Sequence, residues 1–232
     1  MDPRERLMRP VERLVVAVDL SNRDEILRLV DTLRGTAGVF KLGLQAFIAN
    51  GPAIVRDVVA TGEKVFLDLK IHDIPNTAKH AIAEAAALGA TMATVHAAGG
   101  EAMLQACAHD SLVVLGVTVL TSLAESDLLQ IGMGGNAVEN AVRLALLAQD
   151  AGLRGVVASP LEIEAIREAC GAGFVILTPG IRPAGSDVGD QRRTMTPSEA
   201  IAAGADYIVV GRPITGAADA RSAALRIVEE MR

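Results

Sequence analysis

The run Val65-Phe66-Leu67-Asp68-Leu69-Lys70-Ile71-His72-Asp73-Ile74-Pro75-Asn76-Thr77 decides how the rest of the chain is read. Its first half is short, apolar and followed by turn residues, which predicts a buried strand. Alternate residues of a strand share a face, so Asp68 and Lys70 point one way while Leu67 and Leu69 point the other. Asp73 follows once the chain has left the strand, and Asn76 or Thr77 can cap a helix beginning there. Isolated buried ions are very costly, so charges at the end of an apolar strand must pair. A structural ion pair pinning one strand is the plainer alternative. Such pairs rarely need three charged groups, whereas site charges cluster in this way.

Working outward, residues 14–19 form a first apolar strand that ends in Asp19. Ser21 or Asn22 can cap the helix over 23–33, where Ile26, Leu29, Val30 and Leu33 recur at helical spacing. Residues 39–42 predict a second strand carrying Lys41, and residues 44–60 a helical region interrupted at Gly51-Pro52. Beyond the central run, an Ala-rich helix over 77–88 stops at Gly89. Further strands are expected at 92–95, 112–118, 155–158, 174–178 and 207–210. Helices are expected near 101–108, 137–151, 161–169 and 218–231. The Gly132-Met133-Gly134-Gly135 turn lacks both the spacing and the preceding strand of a dinucleotide fingerprint.

Eight short β-type runs alternating with helical runs argue for parallel β/α units closed into a single (β/α)8 TIM barrel. The length of 232 residues fits one domain, 1–232, with residues 1–13 as a charged leader of no assigned role. In such a barrel active groups sit at the C-terminal ends of strands. Asp19, Lys41, Asp68 and Lys70 all fall there, on three neighbouring strands, with Asp73 in the loop just beyond. Alternating signs let these groups hold one another ionised.

Two loops complete the rim. Residues 179–193 form a long polar loop after the seventh strand, holding Arg182, Gln191, Arg192 and Arg193. Gly211-Arg212 follows the eighth strand. Barrels often grip phosphate with the loops after strands seven and eight, so Arg212 reads as a phosphate contact, or else as a surface cation after a Gly turn. Thr121 and Ser122 are by themselves an ordinary strand-end turn. His96 stands where it can line the site or simply pack. His72 reads as a loop contact, and His80 and His109 as helix-surface residues.

Composition removes several classes of function. Lys and Arg number 22 against 28 Asp and Glu, for a net charge of −6, and aromatics make up only 2%. With no basic run and no aromatic platform, a nucleic-acid partner is not expected. Residues 1–13 have no apolar core and do not read as a signal peptide. No stretch approaches the roughly 20 apolar residues of a membrane span. Cys107 and Cys170 are far apart in sequence with no metal-ligand spacing, which favours free thiols and a cytoplasmic location.

The pattern Asp68-x-Lys70-x-x-Asp73, continued by Ile74, Pro75 and Thr77, closely resembles the signature of the orotidine 5′-phosphate decarboxylase family. The bare Asp-x-Lys-x-x-Asp core is shared with related sugar-phosphate enzymes, and the continuation is the more specific part. The resemblance implies conversion of orotidine 5′-monophosphate to uridine 5′-monophosphate and CO2 in pyrimidine nucleotide synthesis, without metal, flavin or Schiff base. It implies that Lys70 stabilises the carbanion at C6 and protonates it, with Asp68 beside the departing carboxylate. Lys41 and Asp73 would complete the charged array and contact the ribose, as would Asp19. Thr121 and Ser122 would contact the ring, Gln191 would bridge phosphate and ring, and Gly211 and Arg212 would bind phosphate, with Arg182 on the same loop as Gln191. It also implies a homodimer in which Asp73, Ile74 and Thr77 reach into the neighbouring site. The rival expectation is a Mg²⁺-dependent sugar-phosphate decarboxylase or epimerase on the same kind of barrel. A non-enzymatic nucleotide-binding barrel is the third possibility, against which the intact Lys70 argues.

Overall fold

In the computed structural model, which describes residues 8–183 and 194–232, eight parallel strands close into a barrel. They are β1 (Leu14–Ala17), β2 (Val39–Gly43), β3 (Val65–Ile71), β4 (Met92–His96), β5 (Val113–Val117), β6 (Gly155–Val157), β7 (Val175–Thr178) and β8 (Tyr207–Val210). Each strand pairs with its sequence neighbours, and β8 returns to β1. Helices follow the strands around the outside, as in a (β/α)8 TIM barrel.

Side-chain alternation sorts the strands into two cores. Val15 and Ala17 of β1, Val39 of β2, Phe66 of β3, Met92 of β4, Leu115 of β5, Leu177 of β7 and Val209 of β8 pack together inside the barrel. The intervening residues, such as Val16, Phe40, Leu67, Val95 and Val210, pack outward beneath the helices. The inner core is filled mainly by branched aliphatics, with Phe66 and Met92 among them, and one crowded point needs glycine. A Cβ at Gly155 would stand 2.2 Å from the Val175 carbonyl oxygen on the adjoining strand, inside any tolerable contact.

The alternation also fixes the site. Going up the inner face, Ala17 leads to Asp19, Val39 to Lys41, Phe66 to Asp68 and Lys70, and Met92 to Thr94 and His96. The strand that carries the decisive run departs from regular pairing there. Against β4 it pairs Leu67 with Ala93 and then Ile71 with Val95, so β3 advances twice as far as its neighbour across this interval. The surplus is absorbed at Lys70, whose φ of 52° is the one positive value among the described non-glycine residues. That backbone region is costly for a side-chain-bearing residue.

Several helix boundaries differ from expectation. The helix after β3 begins at Pro75, not Thr77, and runs Pro75–Ala87 with Ile74 at the N-cap. Proline's fixed φ suits the first helical position, which puts Asn76 and Thr77 inside the first turn, so neither caps it. Asn22 is the cap of the helix Arg23–Leu33, its side chain accepting from the Asp24 and Glu25 amides. Short helices that hydrophobic spacing did not indicate occur at Glu125–Gln130, Pro197–Ala202 and Arg212–Thr215. The end of the charged leader has a structural place as well. Pro10–Arg13 is one helical turn, and Arg13 donates to the backbone carbonyls of Ala205 and Asp206 at the entrance to β8.

His109 lies past its helix, where Nδ1 accepts from the Ser111 and Leu112 amides, so it shapes a turn and is not a helix-surface residue. Cys107 and Cys170 are free and buried. Among the described residues no helix is long and apolar enough to cross a membrane.

Candidate active site

The open C-terminal mouth of the barrel holds a cavity of about 560 Å³. One wall is charged, made by Asp19, Lys41, Asp68 and Lys70. The opposite wall is apolar, with Val117, Val119, Leu120, Val157, Leu177 and Val209, and Thr121, Arg182, Gly211 and Arg212 stand around the rim.

The charged wall follows from strand register. Lys41 pairs across to Ala17 on one side and to Phe66 on the other. Asp19 and Asp68 each lie two residues further along the same face, so the lysine stands one pleat below two acids. Its Nζ lies 3.3 Å from Asp19 Oδ1 and 3.5 Å from Asp68 Oδ2. From the other side, Lys70 Nζ donates to both oxygens of Asp68 at 2.9 Å each. The result is an alternating chain, Asp19–Lys41–Asp68–Lys70, in which Asp68 is held by two ammonium groups. Its side chain is only 11% exposed and that of Lys41 only 12%, so the Lys41–Asp68 pair is shielded from the screening that makes surface ion pairs weak, whereas Asp19, 57% exposed, lies at the solvent end of the chain.

Two residues that sequence reasoning passed over support this chain. The fully buried Thr94 hydroxyl donates to Asp68 Oδ1 at 3.0 Å, and the Lys70 backbone N–H donates to it at 2.9 Å. At Gly43 a Cβ would stand 3.1 Å from Lys41 Nζ and 3.4 Å from Asp19 Oδ1. Glycine there leaves room for the ion pair.

Electrostatics follow the packing. Burial by itself pushes Asp68 toward its protonated form, but the Lys41 and Lys70 ammonium groups, with hydrogen bonds from Lys70 and Thr94, overcome it. Its pKa therefore lies below the ordinary carboxylate value. His96 is shifted down by burial and by repulsion from His72 and Lys70. Its ring is tilted against that of His72 with centroids 5.5 Å apart.

Other expected site residues do not join the cavity wall. Asp73 is exposed, and its carboxylate accepts from the Ile74 N–H at 2.7 Å. Among the described residues it has no ion-pair partner in its own chain. Ile74 and Thr77 are likewise exposed. Ser122 is exposed and is not among the residues lining the cavity beside Thr121. The ends of the long loop are tied by a bridge between Ile181 and Met195, and the Arg182 amide donates to the Met195 carbonyl. Gln191 lies outside the described residues.

The model of the "Orotidine 5′-phosphate decarboxylase / HUMPS family" matches residues 12–227. The chain belongs to that family. Among relatives of the decarboxylase family, the protein named orotidine 5′-phosphate decarboxylase from Moorella thermoacetica is 51% identical over 236 residues. That match spans 97% of this chain and 94% of the relative. The one from Sodalis glossinidius is 48% identical, spanning 94% and 89%. Among solved structures, orotidine 5′-phosphate decarboxylase from Lactobacillus acidophilus superposes with a TM-score of 0.83 at 35% identity, covering 94% of this chain and 98% of that one. An uncharacterized conserved protein from Geobacillus kaustophilus gives 0.81 at 36%, covering 94% and 100%.

The depressed Asp68 pKa has a sign that can be tested. Its contribution to stability is present above the ordinary value of 3.8 and is lost as the pH falls through the lower folded-state value. Denaturant unfolding of the parent and Asp68→Asn proteins from pH 7 to pH 2 should show the parent more stable at neutral pH and the gap closing only in strong acid. A gap independent of pH would contradict the pairing.

Proposed function

We propose that the chain, as one barrel domain, is an orotidine 5′-phosphate decarboxylase, a carboxy-lyase of pyrimidine biosynthesis that forms uridine 5′-phosphate and CO2. The observation that carries this is the Lys70 ammonium, seated on Asp68 at the charged wall of a cavity whose far wall is apolar. A pyrimidine ring is flat, and one face can lie against Val117, Leu120 and Val157 while its edge meets the charges. The rim supports the placing of the other parts of the substrate. Phosphate would sit toward Arg182, Gly211 and Arg212, with Gln191 reaching from the same loop. Ribose hydroxyls would meet Asp19 and Lys41, and the ring's polar edge would meet Thr121, with Ser122 beside it.

The chemistry then asks little of a cofactor. The bond from C6 to the carboxylate breaks, its electron pair stays on C6, and CO2 leaves. The developing carbanion is stabilised by the fixed Lys70 ammonium, which gives up a proton to C6 and is recharged from solvent. Asp68 keeps that ammonium in place and presents a negative charge to the departing carboxylate, a repulsion relieved as CO2 forms. Binding energy from the remote phosphate is available to hold the ring against this wall. Both Asp68 oxygens already accept from N–H or O–H donors, which suits this role better than holding Mg²⁺ in the sugar-phosphate alternative.

Asp73, Ile74 and Thr77 fit the same proposal as parts of a homodimer. They project from the loop and first helical turn after β3, exposed and outside their own cavity. Ile74 is a large apolar side chain left 67% exposed there. A second copy docked on that edge would cover it and bring Asp73 to the neighbouring charged wall.

Purified protein mixed with orotidine 5′-phosphate should remove the substrate's ultraviolet absorbance equally well with and without EDTA, and Lys70→Ala should lower kcat/KM by about a thousandfold or more. Loss of activity in chelator, restored by Mg²⁺, would favour the sugar-phosphate reading. For the dimer, light scattering should give twice the chain mass for the parent and a shift toward one chain mass for Ile74→Glu; a monomeric parent would remove the shared site.

A further inference from the structure

Within the decarboxylase reading, the least expected feature of the site is where its key lysine sits on the backbone. Lys70 occupies the left-handed region within a strand whose pairing with β4 is interrupted. In a regular ladder its N–H would find a carbonyl on the neighbouring strand. Here it is met by a side chain, the Thr94 hydroxyl. An amide nitrogen can only donate, so the hydroxyl oxygen must accept from it, and the hydroxyl proton is left to go elsewhere. It goes to Asp68 Oδ1, the carboxylate that also receives the ammonium of the same lysine. The backbone of Lys70, the hydroxyl of Thr94, the carboxylate of Asp68 and the ammonium of Lys70 thus form a closed loop of hydrogen bonds.

We propose that Thr94 is a positioning residue for the decarboxylation, holding the strained Lys70 backbone and the Asp68 carboxylate in the one arrangement that aims the ammonium into the cavity. Three observations support it independently of the sequence signature. Thr94 is fully buried, so no water competes for its hydroxyl. It faces inward between Met92 and His96, directly opposite the interrupted stretch of β3. Its branched shape is also pinned by the strand, which fixes the direction in which the oxygen points. Strain of this kind persists only where surrounding contacts over-determine it. Thr94 supplies one such contact to the Lys70 backbone and one to the Asp68 carboxylate, and it is not itself among the residues lining the cavity.

The inference rests on the decarboxylase proposal, and the test separates the two. Thr94→Val keeps size and β-branching but removes both hydrogen bonds; Thr94→Ala removes them without demanding that a methyl fit; Thr94→Ser restores them. With orotidine 5′-phosphate, Thr94→Val and Thr94→Ala should lose about 100-fold in kcat, while KM and the Kd for uridine 5′-phosphate stay within about twofold and Thr94→Ser stays within about threefold of the parent. Parental kcat in either hydroxyl-free variant would overturn the inference, as would parallel losses of kcat and nucleotide affinity. Should Thr94→Val fail to fold, Thr94→Ala carries the same comparison. A parent protein without decarboxylase activity would remove the proposed function, and a crystal structure of a hydroxyl-free variant would then decide the positioning role. Lys70 relaxed out of the left-handed region, with Nζ displaced by about an ångström or more, would support it; an unchanged Lys70 would overturn it.

Discussion

A carboxylate that is nearly dry must be surrounded by donors, and in this protein Asp68 has four contacts of that kind. Two come from the Lys70 ammonium, one from Lys41 and one from the Thr94 hydroxyl. Losing both ammonium groups would leave a buried charge uncompensated, which is far more costly than never having placed it there. The neighbouring architecture meets that requirement. Strand register puts Lys41 one pleat below two acids, Gly43 keeps the space above it open, and the interrupted β3 turns Lys70 back over Asp68. The barrel supplies a rigid circle of strand ends on which these distances can be held.

Much of this was legible in the chain itself. Apolar runs of four to seven residues separated by helical spacing gave eight strands, because each strand must present one face to the barrel interior and the other to the helices. Charges ending strands one, two and three were visible as departures from that pattern, and the structure brings all four together. Thr94 is an ordinary strand former by composition, and only its position opposite an interrupted ladder makes it special. The left-handed Lys70 carries no marker at all, since glycine or asparagine would be the usual sign of such a backbone. Gly43, just past the expected second strand, is a clearance for the Lys41–Asp19 pair. The helix starts at Pro75 because proline's preference for the first turn prevails over the capping capacity of Asn76 and Thr77. The short helices Glu125–Gln130, Pro197–Ala202 and Arg212–Thr215 are too brief to show a period.

In the proposed reaction the two walls of the cavity would divide the work, as suits chemistry without an electron sink. An apolar wall removes water from one face of a flat ring, and that desolvation strengthens whatever charges act on the other side. A fixed ammonium needs no reorganisation as negative charge develops at carbon, which is where preorganised sites gain most over water. The exposed Asp73, Ile74 and Thr77 lie beside this wall but outside it. In the proposed homodimer they would let a second copy complete the charge array without altering the internal chain.

The central claim is that the Lys70 ammonium faces the carbon that loses CO2. A crystal structure of the protein with uridine 5′-phosphate bound tests it most directly. The lysine Nζ should lie about 3–3.5 Å from C6, within reach for proton transfer, with the phosphate toward Arg212 and the ring along the Val117–Leu120 wall. A nucleotide bound in the opposite sense, or a C6 facing Thr121 and away from Lys70, would contradict it.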